Sequence, residues 1–301
     1  MSNSIFSLRT FLYFVYAVLL TAVLLVVRFP AEKFKVICEQ RVEKILPGSS
    51  CSIDRIVYHF PLTAALESIK ITRTIDGQES DLVVDQLSIT PRLQFWRTFT
   101  LKGKIRSGLF RAGLEFGFGT HTFQLANVHL RGLDAGELAE SIGLTDRKLS
   151  GIIEFSGEYR GPNNKPDSGV GKGVIQIVGG SMDLLQPILG LSTLEFDKLT
   201  VKVTQQNDML NFVAGELQGK ELFADFAGEM RIAYPLVNSN ILLSGHLQPD
   251  KAYLAGHPRE QQFVMRLLQR YKMTVLPFKI GGTVKRPLFR FSTIFYGSSH
   301  Y

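Results

Sequence analysis

Residues Leu194–Ala233 read LEFDKLTVKVTQQNDMLNFVAGELQGKELFADFAGEMRIA. Apolar and polar side chains alternate through Leu194–Thr204, Met209–Gln218 and Leu222–Ala233. A period of two predicts three strands, each with one apolar and one polar face. The links between them are short, so neighbours pair antiparallel; parallel pairing needs a crossover of a dozen or more residues.

The same pattern runs outward on both sides. Upstream it predicts strands over Ser52–Tyr58, Ala65–Thr74, Asp81–Thr90, Thr98–Arg106, Leu109–Phe118, His121–Leu130, Leu149–Tyr159 and Gly173–Val178. Downstream it predicts Ser239–Leu247, Pro277–Thr283 and Leu288–Phe295. Asp76-Gly77, Ser107-Gly108 and Gly117–Gly119 are turn signals. Helical spacing interrupts the strands over Phe34–Ile45, over Asp134–Leu144 with Asp134 as N-cap, over a short insertion at Met182–Leu189, and over Pro258–Lys272. The fold class is therefore mainly β: a large twisted, curved antiparallel sheet with a few short amphipathic helices. Its apolar face needs a cover, either the Phe263, Leu267 and Tyr271 face of the last helix, a second sheet, or lipid. Gly161–Ser168 (GPNNKPDS) is either a sub-boundary or a long hairpin loop.

The chain starts differently. Thr10–Val27 (TFLYFVYAVLLTAVLLVV) is uncharged between Arg9 and Arg28. About 18 residues at 1.5 Å each give roughly 27 Å, close to the core of a thin bilayer. A cleavable signal peptide and a buried core helix are the competing readings. The absence of an A-x-A-like site after the run disfavours the first, and apolarity on every face the second. The expected layout is a tail over 1–9, an anchor over 10–28, an amphipathic helical linker over 29–48 and a β-rich domain over 49–301.

The net charge of +7 is concentrated. Arg92, Arg97, Lys102, Lys104, Arg106 and Arg111 occupy an acid-free stretch. Arg259, Arg266, Arg270, Lys272, Lys279, Lys285, Arg286 and Arg290 face only Glu260. Beside a membrane such charge points to anionic lipid or an acidic partner, with Arg266, Arg270, Lys272, Lys285 and Arg286 as candidate contacts; solvated faces are the plain alternative. Nucleic acid is not expected, because no binding-module signature accompanies the charge. Cys38 and Cys51 flank Pro47-Gly48. In an oxidising compartment they are a candidate disulfide, and in a reducing one two small buried hydrophobes.

The search for catalytic or metal motifs yields none. His59, His121, His129, His246, His257 and His300 form no H-E-x-x-H or helical i, i+4 pair, and no G-x-S-x-G elbow is present. GVGKG at Gly169–Gly173 and GELQGK at Gly215–Lys220 do not lead from strand to helix, so they read as hairpin turns rather than phosphate loops. Glu154, Glu158, Asp183, Glu195 and Asp197 are spread over separate strands and turns, with no pair singled out for acid/base work. No catalytic, cofactor-binding or metal-ligating residue is therefore assigned.

The anchor, the short helix and CSIDRIVYHFPLTAALESIKIT, with Phe60-Pro61 before the next strand, resemble the start of the type II secretion system protein N family. That family is similar to the AsmA-like envelope proteins. LSGIIEFSGEYRGP, GKGVIQIVGGSMDLL, the stretch from Leu194 to Pro249 and the ending LPFKIGGTVKRPLFRF resemble their middle and C-terminal regions. The resemblance implies a single-pass inner-membrane anchor, a periplasmic β-rich domain and an association with protein secretion, and it supplies no catalytic residues. Charge counting opposes that orientation: Arg9 and the α-amino group precede the span, whereas Arg28, Lys33 and Lys35 follow it. The periplasmic side is taken, because long domains translocate despite flanking lysines. The expected function is a non-enzymatic accessory component of a type II secretion system, contacting other envelope subunits. The alternative is an AsmA-like phospholipid-binding or lipid-transfer protein.

Overall fold

Fourteen strands pair in sequence order, each antiparallel to the next, in one sheet. A computed structural model describes residues 9–17, 20, 31–45, 49–59, 62–75, 78–92, 95–117, 122–162, 168–233 and 235–292. The strands are β1 (Ser49–His59), β2 (Thr63–Ile75), β3 (Gln78–Arg92), β4 (Phe95–Ile105), β5 (Gly108–Gly117), β6 (Thr122–Asp134), β7 (Leu149–Pro162), β8 (Val170–Ile188), β9 (Leu191–Gln206), β10 (Met209–Gly219), β11 (Leu222–Arg231), β12 (Asn240–Pro249), β13 (Leu276–Gly282) and β14 (Pro287–Phe291). Helices among the described residues include α1 (Ala31–Ile45), α2 (Ala135–Ser141), α3 (Lys251–Gly256) and α4 (Pro258–Tyr271).

The expected strands are all present. β7 and β8 pair up to Arg160 opposite Val170, so the strands on either side of the Gly161–Ser168 stretch belong to one sheet. Asp134 caps α2 by accepting from the Glu137 amide at 3.0 Å. The helical insertion expected at Met182–Leu189 is corrected: β8 continues to Ile188. Pro187, which has no N–H to donate, falls where the β8–β9 register shifts between Asp183 and Ile188, the place a strand tolerates proline. Half of the expected membrane-spanning run falls outside the described residues. Residues 9–17 are helical, and among the described residues no helix is long and apolar enough to cross a membrane. Asp76-Gly77, Phe60-Pro61, Pro47-Gly48, residues 118–119, His121, His300 and residues 293–301 also lie outside the described residues.

The first edge of the sheet is covered. α1 lies along β1, where Glu39 Oε1 accepts from the Ile53 amide at 2.9 Å and Glu43 Oε1 from the Cys51 amide at 3.3 Å. Those carboxylates occupy backbone donors that an edge strand otherwise offers to another chain. Beneath them Ile53, Ile56, Leu66 and Ile69 form the core of this end, with Ala31 and Cys38 of α1 packed on it.

The sheet curls in its C-terminal half. β7 and β13 are six strands apart, about 29 Å in a flat sheet at the usual strand spacing. Yet Arg147, just before β7, donates to the carbonyls of Val284 and Lys285 just after β13. Leu144 of the same segment packs with the fully buried Val237 of the β11–β12 connection. Strands β7–β14 therefore wrap into a trough, and the segment after α2 closes one end of it. The other end holds the largest core cluster, in which Leu189, Leu247 and Leu276 meet Val264, Leu267 and Leu268 of α4.

Leu276 is completely buried at that closed end. Replacing it with alanine leaves a cavity in a packed cluster and is expected to lower stability by about 2–5 kcal/mol. Urea unfolding followed by tryptophan-independent circular dichroism checks it.

Candidate functional site

Cross-strand register builds the trough wall row by row. Ile177, Leu199, Leu217, Ala224, Leu247 and Leu276 are consecutive partners from β8 to β13. Phe212, Gly228, Leu243, Ile280 and Phe289 continue a second row from β10 to β14. Between the rows the Phe226 ring lies across Gly215, where an added Cβ would come within 2.3 Å of it. Because successive residues alternate faces, the row positions all point inward and their neighbours outward.

These inward residues do not fill the space they enclose. A cleft of about 400 Å³ remains, walled mainly by leucine, isoleucine and phenylalanine from β8–β14. Its volume falls within the range of about 300–1,000 Å³ usual for ligand pockets. Leu184, Leu185 and Gln186, from the stretch of β8 without β9 partners, form part of its rim. At the end near Ile241 and Ile280 the wall is completed by Leu144, Arg147, Val284 and Pro287.

Arg147 is the buried cation of this wall, its side chain 6% exposed. Nε donates to Asp146 Oδ1 at 3.0 Å and Nη2 to Asp146 Oδ2 at 3.5 Å, besides the two carbonyls after β13. Asp183 lines the cleft too, but its oxygens are engaged by the Thr193 hydroxyl at 3.0 Å and the Lys148 amide at 3.2 Å. Sequence reasoning missed Arg147, since a single basic residue in a polar connection carries no periodic signal. Only its contacts across six strands reveal it.

The residues singled out in the sequence divide between the two ends. Phe263, Leu267 and Tyr271 cover the α4 end: Phe263 meets Phe291 edge-on with ring centres 6.1 Å apart, Leu267 joins the core, and the Tyr271 hydroxyl donates to the Phe291 carbonyl at 3.3 Å. None of the three lines the cleft. Arg266, Arg270 and Lys272 are exposed on or just after α4, whereas Lys285 and Arg286 sit in the β13–β14 turn beside Arg147. The basic set is thus two groups at opposite ends of β13. Among the described residues no cluster of three metal-ligating side chains occurs. His246 Nδ1 lies 3.0 Å from Asp225 Oδ2, but these two alternate with Leu247 and Ala224 and face away from the cleft.

Cys38 and Cys51 are free thiols in this structure, and both belong to the apolar α1–β1 cluster. No protein-family model matches the chain, and no curated protein or solved structure matches it either.

Burial foremost, and Glu39 next, push both thiols up from an ordinary value of about 9. The folded chain therefore holds these protons more tightly than the unfolded chain. That contribution to stability is complete below about pH 9 and is lost as pH rises through the higher folded value. Urea midpoints from neutral to alkaline pH should fall more steeply for the native chain than for a Cys38→Ala/Cys51→Ala variant; parallel curves would contradict this.

Proposed function

We propose that this chain is a membrane-tethered, non-enzymatic protein of the bacterial envelope whose C-terminal trough holds one acyl chain of a lipid. The observation that carries the reading is the apolar cleft of about 400 Å³ left open although α4 covers one end of the trough. Each methylene buried there contributes about 0.8 kcal/mol before the costs of association are subtracted.

The tether is the Thr10–Val27 run, whose length and lack of charge suit one span. The resemblance to the type II secretion system protein N family and the AsmA-like proteins supports an inner-membrane location with the β-rich domain in the periplasm. Arg266, Arg270 and Lys272 at one end and Lys285 and Arg286 at the other offer contacts to anionic headgroups of that membrane. No nucleic-acid partner and no cofactor enter this reading.

A specific feature also favours the accessory role in secretion. β1 is sealed by α1, but β14 is a short terminal strand with Leu288 and Arg290 exposed, and it offers backbone pairing to an envelope subunit. On this reading, deleting the gene reduces release of exoproteins; unchanged release would sink it.

The lipid reading is tested on the full chain purified in mild detergent, by mass spectrometry of organic extracts. Acyl lipid is expected at about one chain per protein, and Leu243→Trp, which fills the cleft, is expected to lower it severalfold. Repeated absence of acyl lipid from the native chain would overturn the reading.

A further inference from the structure

The cleft is apolar along its length but not at its end. Arg147 forms the wall there, buried to all but 6% of its side chain. Its Nε and Nη2 are committed to Asp146 and to the carbonyls of Val284 and Lys285. A guanidinium carries five N–H donors on three nitrogens, and these bonds use two of the three. A guanidinium keeps its charge at any ordinary pH, and a desolvated one gains most from an anionic acceptor. Asp146 fixes the plane of the guanidinium. The charged groups at this end are Lys285 and Arg286 of the turn whose backbone Arg147 grips, and the carboxylates of Asp146, paired with Arg147, and Asp183, held by Thr193 and the Lys148 amide.

The geometry points to a single-chain fatty acid as the occupant, its carboxylate on the guanidinium of Arg147 and its tail running towards Leu247 and α4. This rests on the acyl-chain reading above and adds the headgroup and the chain number. Two features select this ligand. The cleft, at about 400 Å³, lies in the lower part of the range of about 300–1,000 Å³ usual for ligand pockets, which suits one chain better than the two of a diacyl phospholipid. The single cation is inside the cleft wall rather than on a lip, so the anionic group must be small enough to enter with the chain. A carboxylate meets that condition. From Leu247 to Ile241 the wall follows six residues of β12, about 20 Å at the usual rise, which sets the distance between the carboxylate end and the tail end.

Arg147 has a structural task as well, tying the segment after α2 to the β13–β14 turn. The experiment must therefore read the headgroup and not only the fold. The full chain is placed in phosphatidylcholine nanodiscs with tetradecanoate carrying a carbon-13 carboxyl, and the carboxyl resonance is followed against pH. A second resonance is expected, saturating at one per chain, with its titration midpoint shifted below that of the bilayer-dissolved acid by at least one pH unit. Tetradecanol should compete at least tenfold more weakly than tetradecanoate. Arg147→Met should remove the downward shift and the tenfold preference while labelled tetradecanol still binds; Arg147→Lys, which keeps the charge, should retain part of the shift. Should Arg147→Met fail to fold, the native comparison of acid with alcohol decides alone. Equal competition by alcohol and acid, or a bound carboxyl titrating with the bilayer pool, overturns the carboxylate assignment and leaves the acyl-chain trough standing. Saturable binding of phosphatidylglycerol in preference to tetradecanoate overturns it too. No saturable binding of any acyl ligand overturns both.

Discussion

An antiparallel meander of fourteen strands presents an apolar face, and the short helices α1–α4 do not span it. Every strand interior satisfies its backbone through its two neighbours, so hydrogen bonding makes no demand for curvature. The unmet demand is for burial. It is met in different ways along the sheet, and the differences locate the site. At the β1 end a helix lies on the edge and its glutamates accept edge amides. At the other end the sheet turns on itself until β7 and the β13–β14 turn are joined through Arg147.

Curling a sheet of leucines buries them but does not guarantee that they interdigitate. Where α4 enters, it does so with Val264, Leu267 and Leu268, and the cluster around Leu276 and Leu189 closes. Further along β12 no helix follows, and opposing walls remain separated by the cleft. Packing free energy is lost wherever a wall lacks atoms opposite it. The gap and the buried guanidinium at its end are the two features on which the proposed ligand rests.

The sheet was legible because alternation is local: each strand can be read from about ten residues, and short links force antiparallel neighbours. Asp134 and Pro258 announced their helices for equally local reasons, a side-chain cap and a missing amide. Asp250 carried the same capping signal for α3, accepting from the amides of Ala252 and Tyr253, but KAYLAG is too short for its periodicity to register. Met182–Leu189 misled in the opposite direction, since MDLLQPIL has helical spacing of its leucines while β9 supplies the ladder partners on either side of Pro187. The cleft itself was only half legible. An uncovered apolar face could be foreseen, but its size depends on curl, and curl depends on contacts between residues 137 and 138 positions apart.

The division of basic residues follows from the same curl. In sequence Arg266 to Arg290 form one block, and a flat reading makes them one patch for one acidic surface. In the structure β13 runs between them as a spacer, leaving the α4 group outside the closed end and the Lys285-Arg286 turn at the end where Arg147 lies. Positive charge outside a closed end has no access to the cleft. Positive charge at the Arg147 end adjoins an apolar interior, and on that juxtaposition of cation and hydrocarbon the proposed amphiphile site rests. The ends of one trough thereby acquire different chemistry from a single run of lysines and arginines.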